Sequence, residues 1–526
     1  MDQVCQNCSQ NFRVGDEDLA FFEQISPIFA GQKVPLPSPR FCPGCRQQRR
    51  LAYRNEQTLY KRSCDLCHKE MIAVYPAESP FKIYCRDCWW SDQWDAMSLG
   101  RDFDFSRTFY EQFAEVARGF PRLGIINAQD ENSDYTNYGY RNKDCYLMFT
   151  SDQNQNCAYG CFVWNSSDCY DNLFVLDSEL SYECVDCVKC YGCSYCQACE
   201  NSSDCFGCFD LKSCSNCFGS SGLRNKQYYF FNEACTKEDY EARVAEAKKD
   251  WPNLMERLKS VGAETPRRNL FIVGCENSAG DHLSHCKNVS ASFDCRDLED
   301  SKYVSNSVAP VDHCYDMDGG GLTSWCYEVL STGATANHCI GLDHNWNNGN
   351  DIFYSSYCMA SSDLFGCAGL KRKKYCILNK EYSKEDYEAL AARICEHMQK
   401  TGEWGLFFPP ELSPYAYNET AAQNYYPLTK EQALSLGYRW SDSLDNDYTS
   451  KPFVLTKQEE AFYVKRGLPV PTEHPFVRMK RRFLKRNPRQ LWQRQCGKCG
   501  ASIQTTYSPD RPELVYCEEC YLKATY

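Results

Sequence analysis

No stretch of this 526-residue chain approaches the length needed to cross a bilayer, and its start, MDQVCQNCSQ, has no basic segment leading into an apolar run. Neither a membrane protein nor a secreted one is expected. No Walker loop, dinucleotide fingerprint, G-x-S-x-G or H-E-x-x-H occurs, which removes the commonest nucleotide-binding and hydrolytic chemistries. The residue present in excess is cysteine, 37 in all, beginning at Cys5 and falling mostly in C-x-x-C pairs. In a reducing compartment such pairs point to metal and not to disulfides, so a cytoplasmic protein is expected.

Charge is unevenly spread within the net −12. Residues 1–100 hold 12 basic and 12 acidic side chains and 465–526 hold 13 and 5, which leaves −20 for residues 101–464. Local sign governs what each surface attracts, so the acidic middle and the basic end must be read separately.

One stretch occurs twice, 432 residues apart and without a gap: Leu36–Cys88 overlays Leu468–Cys520. Both copies end in C-x2-C-x17-C-x2-C, as Cys64, Cys67, Cys85, Cys88 and as Cys496, Cys499, Cys517, Cys520. That spacing reads as a zinc ribbon. The N-terminal copy adds Cys5, Cys8, Cys42 and Cys45, so eight thiolates suit two tetrahedral ions, paired sequentially or interleaved. The second copy has His474 and Val477 in place of Cys42 and Cys45, and Asn446 and Thr449 near the equivalents of Cys5 and Cys8. Its ribbon must close on its own, which favours sequential pairing in both. About three zinc ions are expected in closed, structural sites whose binding energy goes into folding.

Cys5-Gln-Asn-Cys8, then Phe21-Phe22, then Cys42-Pro-Gly-Cys45-Arg46, resembles the probable zinc-ribbon family, with its C-x-x-C, aromatic pair and C-P-x-C-R ending. The second copy echoes the aromatic pair with Phe462-Tyr463. The whole chain is similar to bacterial Cys-rich zinc-ribbon proteins. The resemblance implies zinc and no particular activity.

Arginines recur with the cysteines. Arg46, Arg49, Arg50, Arg54 and Arg62 in the first copy match Arg478, Arg481, Arg482, Arg486 and Arg494 in the second, and 478–494 contain no acidic residue. Beside a zinc knuckle this is a phosphate-binding footprint, with Tyr60 or Trp492 available to stack on a base. The alternative is arginines on a solvated face or bridging to the chain's own acidic middle. Trp89, Trp90 and Trp94 are expected to seat the first ribbon on the next segment.

The centre is a short repeat. Cys145, Cys157, Cys169, Ser181, Cys193, Cys205 and Cys217 fall on a 12-residue grid, usually followed by an aromatic residue and often preceded by Asp or Asn. Such a period predicts a β-solenoid, with cysteine as a small buried hydrophobe and Asp, Asn and Gly in the turns. Cysteine at every third residue from Cys184 to Cys199 would give four inward columns per turn; a metal cluster is the competing reading. A looser second module holds Cys314, Cys326, Ile352, Leu364 and Cys376. Gly222-Leu223 recurs as Gly369-Leu370, and both modules then enter Lys-Glu-Asp-Tyr after Thr236 or Ser383, which predicts closing helices near 236–260 and 383–400. Pro252 should kink or end the first. His285, His313 and His338, with His282, Asp343 and His344 nearby, form the one enzyme-like constellation, although histidine there is more often a polar turn residue.

The expected architecture is multidomain and mainly β: two short-repeat β-solenoid modules with terminal helices, flanked by N- and C-terminal zinc-ribbon modules. The boundaries are a double zinc-binding module at 1–100, a helical aromatic linker at 101–124, solenoids at 125–262 and 263–400, a linker at 401–450 and a ribbon with a basic helix at 451–526. The expected function is a non-enzymatic scaffold binding nucleic acid, RNA favoured, through its two basic ribbons. An assembly factor whose partner is an acidic protein surface, and a thiol-based metal-storage or redox protein, are the alternatives.

Overall fold

The computed structural model describes residues 1–332, 335–345, 348–444 and 447–526. The chain forms two compact units, each discontinuous in sequence: residues 1–124 with 271–444, and residues 125–270 with 445–526. Each unit therefore combines one solenoid with one cysteine module, the N-terminal module with the second solenoid and the C-terminal module with the first. Among the described residues no helix is long and apolar enough to cross a membrane.

In the first solenoid, parallel strands stack with a rise of one turn per 12 residues: Phe149 pairs with Cys161, Cys161 with Leu173, and Leu173 with Val185. Each turn has four short sides, and every third residue is a corner with φ near +50°, as at Asp144, Asn156, Asp168, Asp204 and Asn216. Asx residues tolerate this left-handed region better than most, which is why they precede the gridded cysteines. Corner amides do not go unpaired. Asp144 N donates to Glu131 O and Asn156 N to Lys143 O, both at 3.0 Å, one turn back.

The residue after each corner points inward. Cys184, Cys187, Cys190 and Cys193 fill the four interior positions of a single turn, all buried, and Met148, Val163, Val175 and Leu211 fill equivalent positions elsewhere. Each thiol donates to the carbonyl two residues back, as Cys187 Sγ does to Val185 O at 3.4 Å. Thiols bonded to carbonyls pack the interior, and among the described residues no interior group of cysteines converges as a metal set.

The second solenoid is looser because its turns vary in length. Ala279 pairs with Ser290, 11 residues on, Cys314 with Cys326, 12 on, and Cys326 with Cys339, 13 on. Both solenoids end alike, in an antiparallel hairpin followed by a helix, Lys237–Ala247 or Lys384–Thr401. The Thr236 and Ser383 hydroxyls accept from the amides of Asp239 and Asp386, the caps their sequences predict. Tyr240 and Tyr387 then lie against Tyr228 and Tyr375 of the last turn. The first closing helix stops at Ala247, and Pro252 sits in the first turn of a separate helix, Trp251–Leu258, where its missing N–H costs nothing.

Candidate metal centres and the arginine helices

Three groups of four cysteines bring their Sγ atoms within 4.8 Å of one another: Cys5/Cys8/Cys42/Cys45, Cys64/Cys67/Cys85/Cys88 and Cys496/Cys499/Cys517/Cys520. The pairing is sequential, as the second copy implied. All three are built the same way. The first C-x-x-C of each sits at the tip of an antiparallel hairpin, Asp2–Val4 with Asn11–Arg13, Tyr60–Ser63 with Glu70–Ala73, and Trp492–Gln495 with Ser502–Thr505. The residue following it is left-handed (Ser9, His68, Gly500), which turns the chain so that its amide reaches back to the carbonyl of the first cysteine. The second C-x-x-C begins on the N-cap residue of a helix (Cys42, Cys85, Cys517). Its amide donates to the sulfur of the first cysteine at 3.2 Å in every case.

In each group one thiol is lowered while a neighbour is raised: Cys45 beside Cys42, Cys88 beside Cys64 and Cys520 beside Cys496. Hydrogen bonding with the Cys45 thiol, against the cost of burial, lowers Cys42 to about 5. Burial opposes ionisation of Cys64 and Cys496, but backbone amides from the flanking residues outweigh it and bring them to about 7 and about 6. Four sulfurs with no open position suit a structural metal ion, and each group could hold one.

The second copy fills its lost centre with rings. His474, in place of Cys42, lies 4.8 Å from Tyr448 and 5.6 Å from Phe476, and its side chain accepts the Phe476 amide at 3.2 Å. Thr449 hydrogen-bonds Asp447 and Val477 lies half-buried in the helix, while Asn446 lies outside the described residues.

Both arginine helices, Pro43–Leu51 and Pro475–Phe483, lie on the solenoid of their own unit. In the N-terminal module Arg46 pairs with Asp316 at 2.7 Å, and Arg50 with Asp318 at 2.8 Å and Glu328 at 2.7 Å. In the C-terminal module Arg478 meets Asp171 at 3.1 Å, and Arg482 meets Asp171 at 2.8 Å and Glu183 at 3.2 Å. Arg46, Arg50, Arg478 and Arg482 are at most 2% exposed. Arg481 also reaches Glu183, at 2.8 Å, and Arg486 reaches Asp186 at 2.9 Å. Arg54 pairs with Glu56, and Arg62 with Asp65. Arg49 donates to the Phe407 carbonyl and Arg494 to the carbonyls of Ser508 and Glu513. The ten arginines expected to form a basic face are thus engaged by carboxylates and carbonyls of their own units. Tyr60 is likewise engaged, its hydroxyl on Glu419, and Trp492 is half-buried in its hairpin.

The two dockings are equivalent. Tyr170-Asp171 and Tyr182-Glu183 are one turn apart in the first solenoid, as are Tyr315-Asp316 and Tyr327-Glu328 in the second. The acids receive the arginines and the tyrosines receive the aromatic pair: Phe22 lies 5.1 Å from both Tyr315 and Tyr327, and Phe462 lies 4.4 Å from Tyr170. Burial pushes Asp171 up to about 6 even with Arg482 and Arg478 beside it, so these ions have left water at a real cost. The tyrosine–acid dipeptides were missed from sequence, although their 12-residue spacing was readable there.

The histidines occupy solenoid corners with φ near +50°. His285 faces Asp297 at 3.6 Å, and His338 bonds Asp351 at 2.5 Å and the Ile25 carbonyl at 3.1 Å. His344 is buried beside Asp343, its ring stacked on Tyr357. His313 stacks on Trp325 at 4.2 Å, and its ring nitrogens, with Asp300 and Asp312, give a fourth set of donors within 4.8 Å, half-buried to exposed. Among the described residues His285, His313 and His338 do not converge on one metal set; His285 and His338 each face an aspartate one turn on, and His313 its neighbour Asp312.

No protein-family model and no curated protein matches the chain. Among solved structures it is similar to one described as a putative acetyltransferase from Desulfovibrio desulfuricans G20, at 9% identity over 52% of this chain and 81% of that one, with a TM-score of 0.11. A superposition of that quality carries no argument.

Proposed function

We propose that the chain is a non-enzymatic scaffold in which three zinc ions fold the cysteine modules, the modules clamp their solenoids, and the solenoid faces receive a macromolecular partner. Zinc is the ion that closed sets of four thiolates favour in a structural role. The observation that carries the reading is the paired docking of Arg46/Arg50 on Asp316/Glu328 and of Arg478/Arg482 on Asp171/Glu183, which gives the basic helices an internal purpose. The first solenoid keeps an exposed column of corners of mixed charge, including Arg141, Asp177, Lys189 and Asn201. Interleaved signs suit a protein surface better than a phosphate backbone.

Nucleic-acid binding is the second reading, favoured by Lys480 and Arg481, which stay exposed on the C-terminal helix. Pull-down from lysate with and without nuclease separates the two. Partners retained after nuclease, with weak and non-specific RNA binding by the pure chain, support the scaffold. RNA binding that falls steeply with salt, and is lost when Lys480 and Arg481 are reversed in charge, would overturn it.

A further inference from the structure

The end of the first module grips a lysine where the second grips an arginine. Gly369-Leu370-Lys371 and Gly222-Leu223-Arg224 hold the same place in their solenoids, and Trp89 stands in one module where Tyr521 stands in the other. Arg224 is 9% exposed, pairs with Asp210 at 2.8 Å and donates to the Tyr521 hydroxyl. Its charge is permanent and its carboxylate is buried with it. Lys371 has a different setting. Its Nζ lies 4.1, 4.4 and 5.1 Å from the ring centroids of Trp89, Trp94 and Trp90, and donates to the Trp89 carbonyl at 2.5 Å. Tyr357 takes the place of Asp210, and among the described residues no carboxylate pairs with the Lys371 amine. Indole faces and one carbonyl hold it, and the faces attract it as a cation.

The amine is also reachable. Lys371 is half-buried, and Trp90 at the mouth of the cage is 48% exposed. We infer that Lys371 is an acylation site, and that its acylation releases the first cysteine module's terminal helix, Arg86–Trp90, from the second solenoid. The amine nitrogen attacks the carbonyl carbon of an activated acyl donor such as an acyl phosphate. The carbon–oxygen bond to phosphate breaks, phosphate leaves with the electron pair, and the proton from nitrogen passes to water. The resulting amide is neutral, so it forfeits the cation–π attraction, and it places an acyl group among three rings that fitted an ammonium. Burial, only partly opposed by Asp92, lowers the Lys371 amine to about 8, which enlarges its free-base share at neutral pH. Arg224 stays protonated and cannot react, so of the two equivalent clasps only the N-terminal one can be switched.

The test is to incubate the full-length, metal-loaded chain with acetyl phosphate at pH 7.5 and follow each lysine by peptide mass spectrometry. At that pH a lysine titrating near 8 has on the order of a hundredfold more free amine than an ordinary one. Allowing for its weaker basicity, Lys371 should acetylate on the order of tenfold faster than the exposed Lys249 and Lys259. Acetylated protein and Lys371→Gln should both show faster hydrogen exchange over residues 86–94 and altered tryptophan emission, with the solenoid turns at 352–377 still protected. Lys371→Arg should match wild type. Acetylation of Lys371 no faster than of Lys249 and Lys259 would overturn the inference. So would unchanged exchange at 86–94 in the acetylated protein, a readout independent of how the Gln variant folds.

Discussion

Replacing Arg482 with methionine should undock the C-terminal arginine helix. Arg482 is fully buried, its Nη1 bonds Asp171 and Glu183, and its Nη2 donates to the Tyr159 carbonyl at 3.0 Å. Methionine fills much of the same volume, so the loss is mainly electrostatic. It leaves two buried carboxylates to share Arg478 and Arg481, and breaking a buried pair by removing one partner costs about 3–5 kcal/mol. The diagnostic step is the reciprocal neutralisation. Glu183→Gln, combined with Arg482→Met, should recover a large part of that loss, because one carboxylate then leaves with one guanidinium while Arg478 keeps Asp171 and Arg481 keeps Glu473. Urea unfolding, together with native-state hydrogen exchange over Pro475–Phe483, measures both. A cost below about 1 kcal/mol, or one equally large in the neutralised background, would mean that the ion network does not hold the helix and that the docking argument fails.

The aromatic half of the docking should matter comparably: Phe462→Ala or Phe22→Ala, each removing a ring buried against solenoid tyrosines, should cost about 3–5 kcal/mol in urea unfolding. Native mass spectrometry at neutral pH should find three ions per chain, and acidification should release them because protons compete with the metal for the thiolates; fewer than three ions at neutral pH would refute this. Cys187→Ala and Cys196→Ala should keep all three ions and lose on the order of 1 kcal/mol of stability, and an ion lost with either variant would make the interior thiols ligands.

The sequence alone determined the local parts of this protein. A 12-residue period with Asx before an inward cysteine predicted a β-solenoid with Asp and Asn in its turns, although the structure also places Tyr159, Phe162 and Leu180 at left-handed corners. Paired C-x-x-C motifs predicted three four-sulfur groups, and the cysteines missing from the second copy fixed their pairing. Caps on Thr236 and Ser383 were readable because a hydroxyl three residues before Asp meets its own helix amide. Tertiary structure decided what the arginines face. A run of guanidinium groups has the same sequence signature whether it waits for phosphate or lies against carboxylates of its own unit, and the partners of Arg482 are some 300 residues away. Only folding brings Asp171 and Glu183, one turn apart on a solenoid, to the pitch of an arginine helix. Burial then commits those charges to each other, because a buried guanidinium without a carboxylate would cost more than its packing returns.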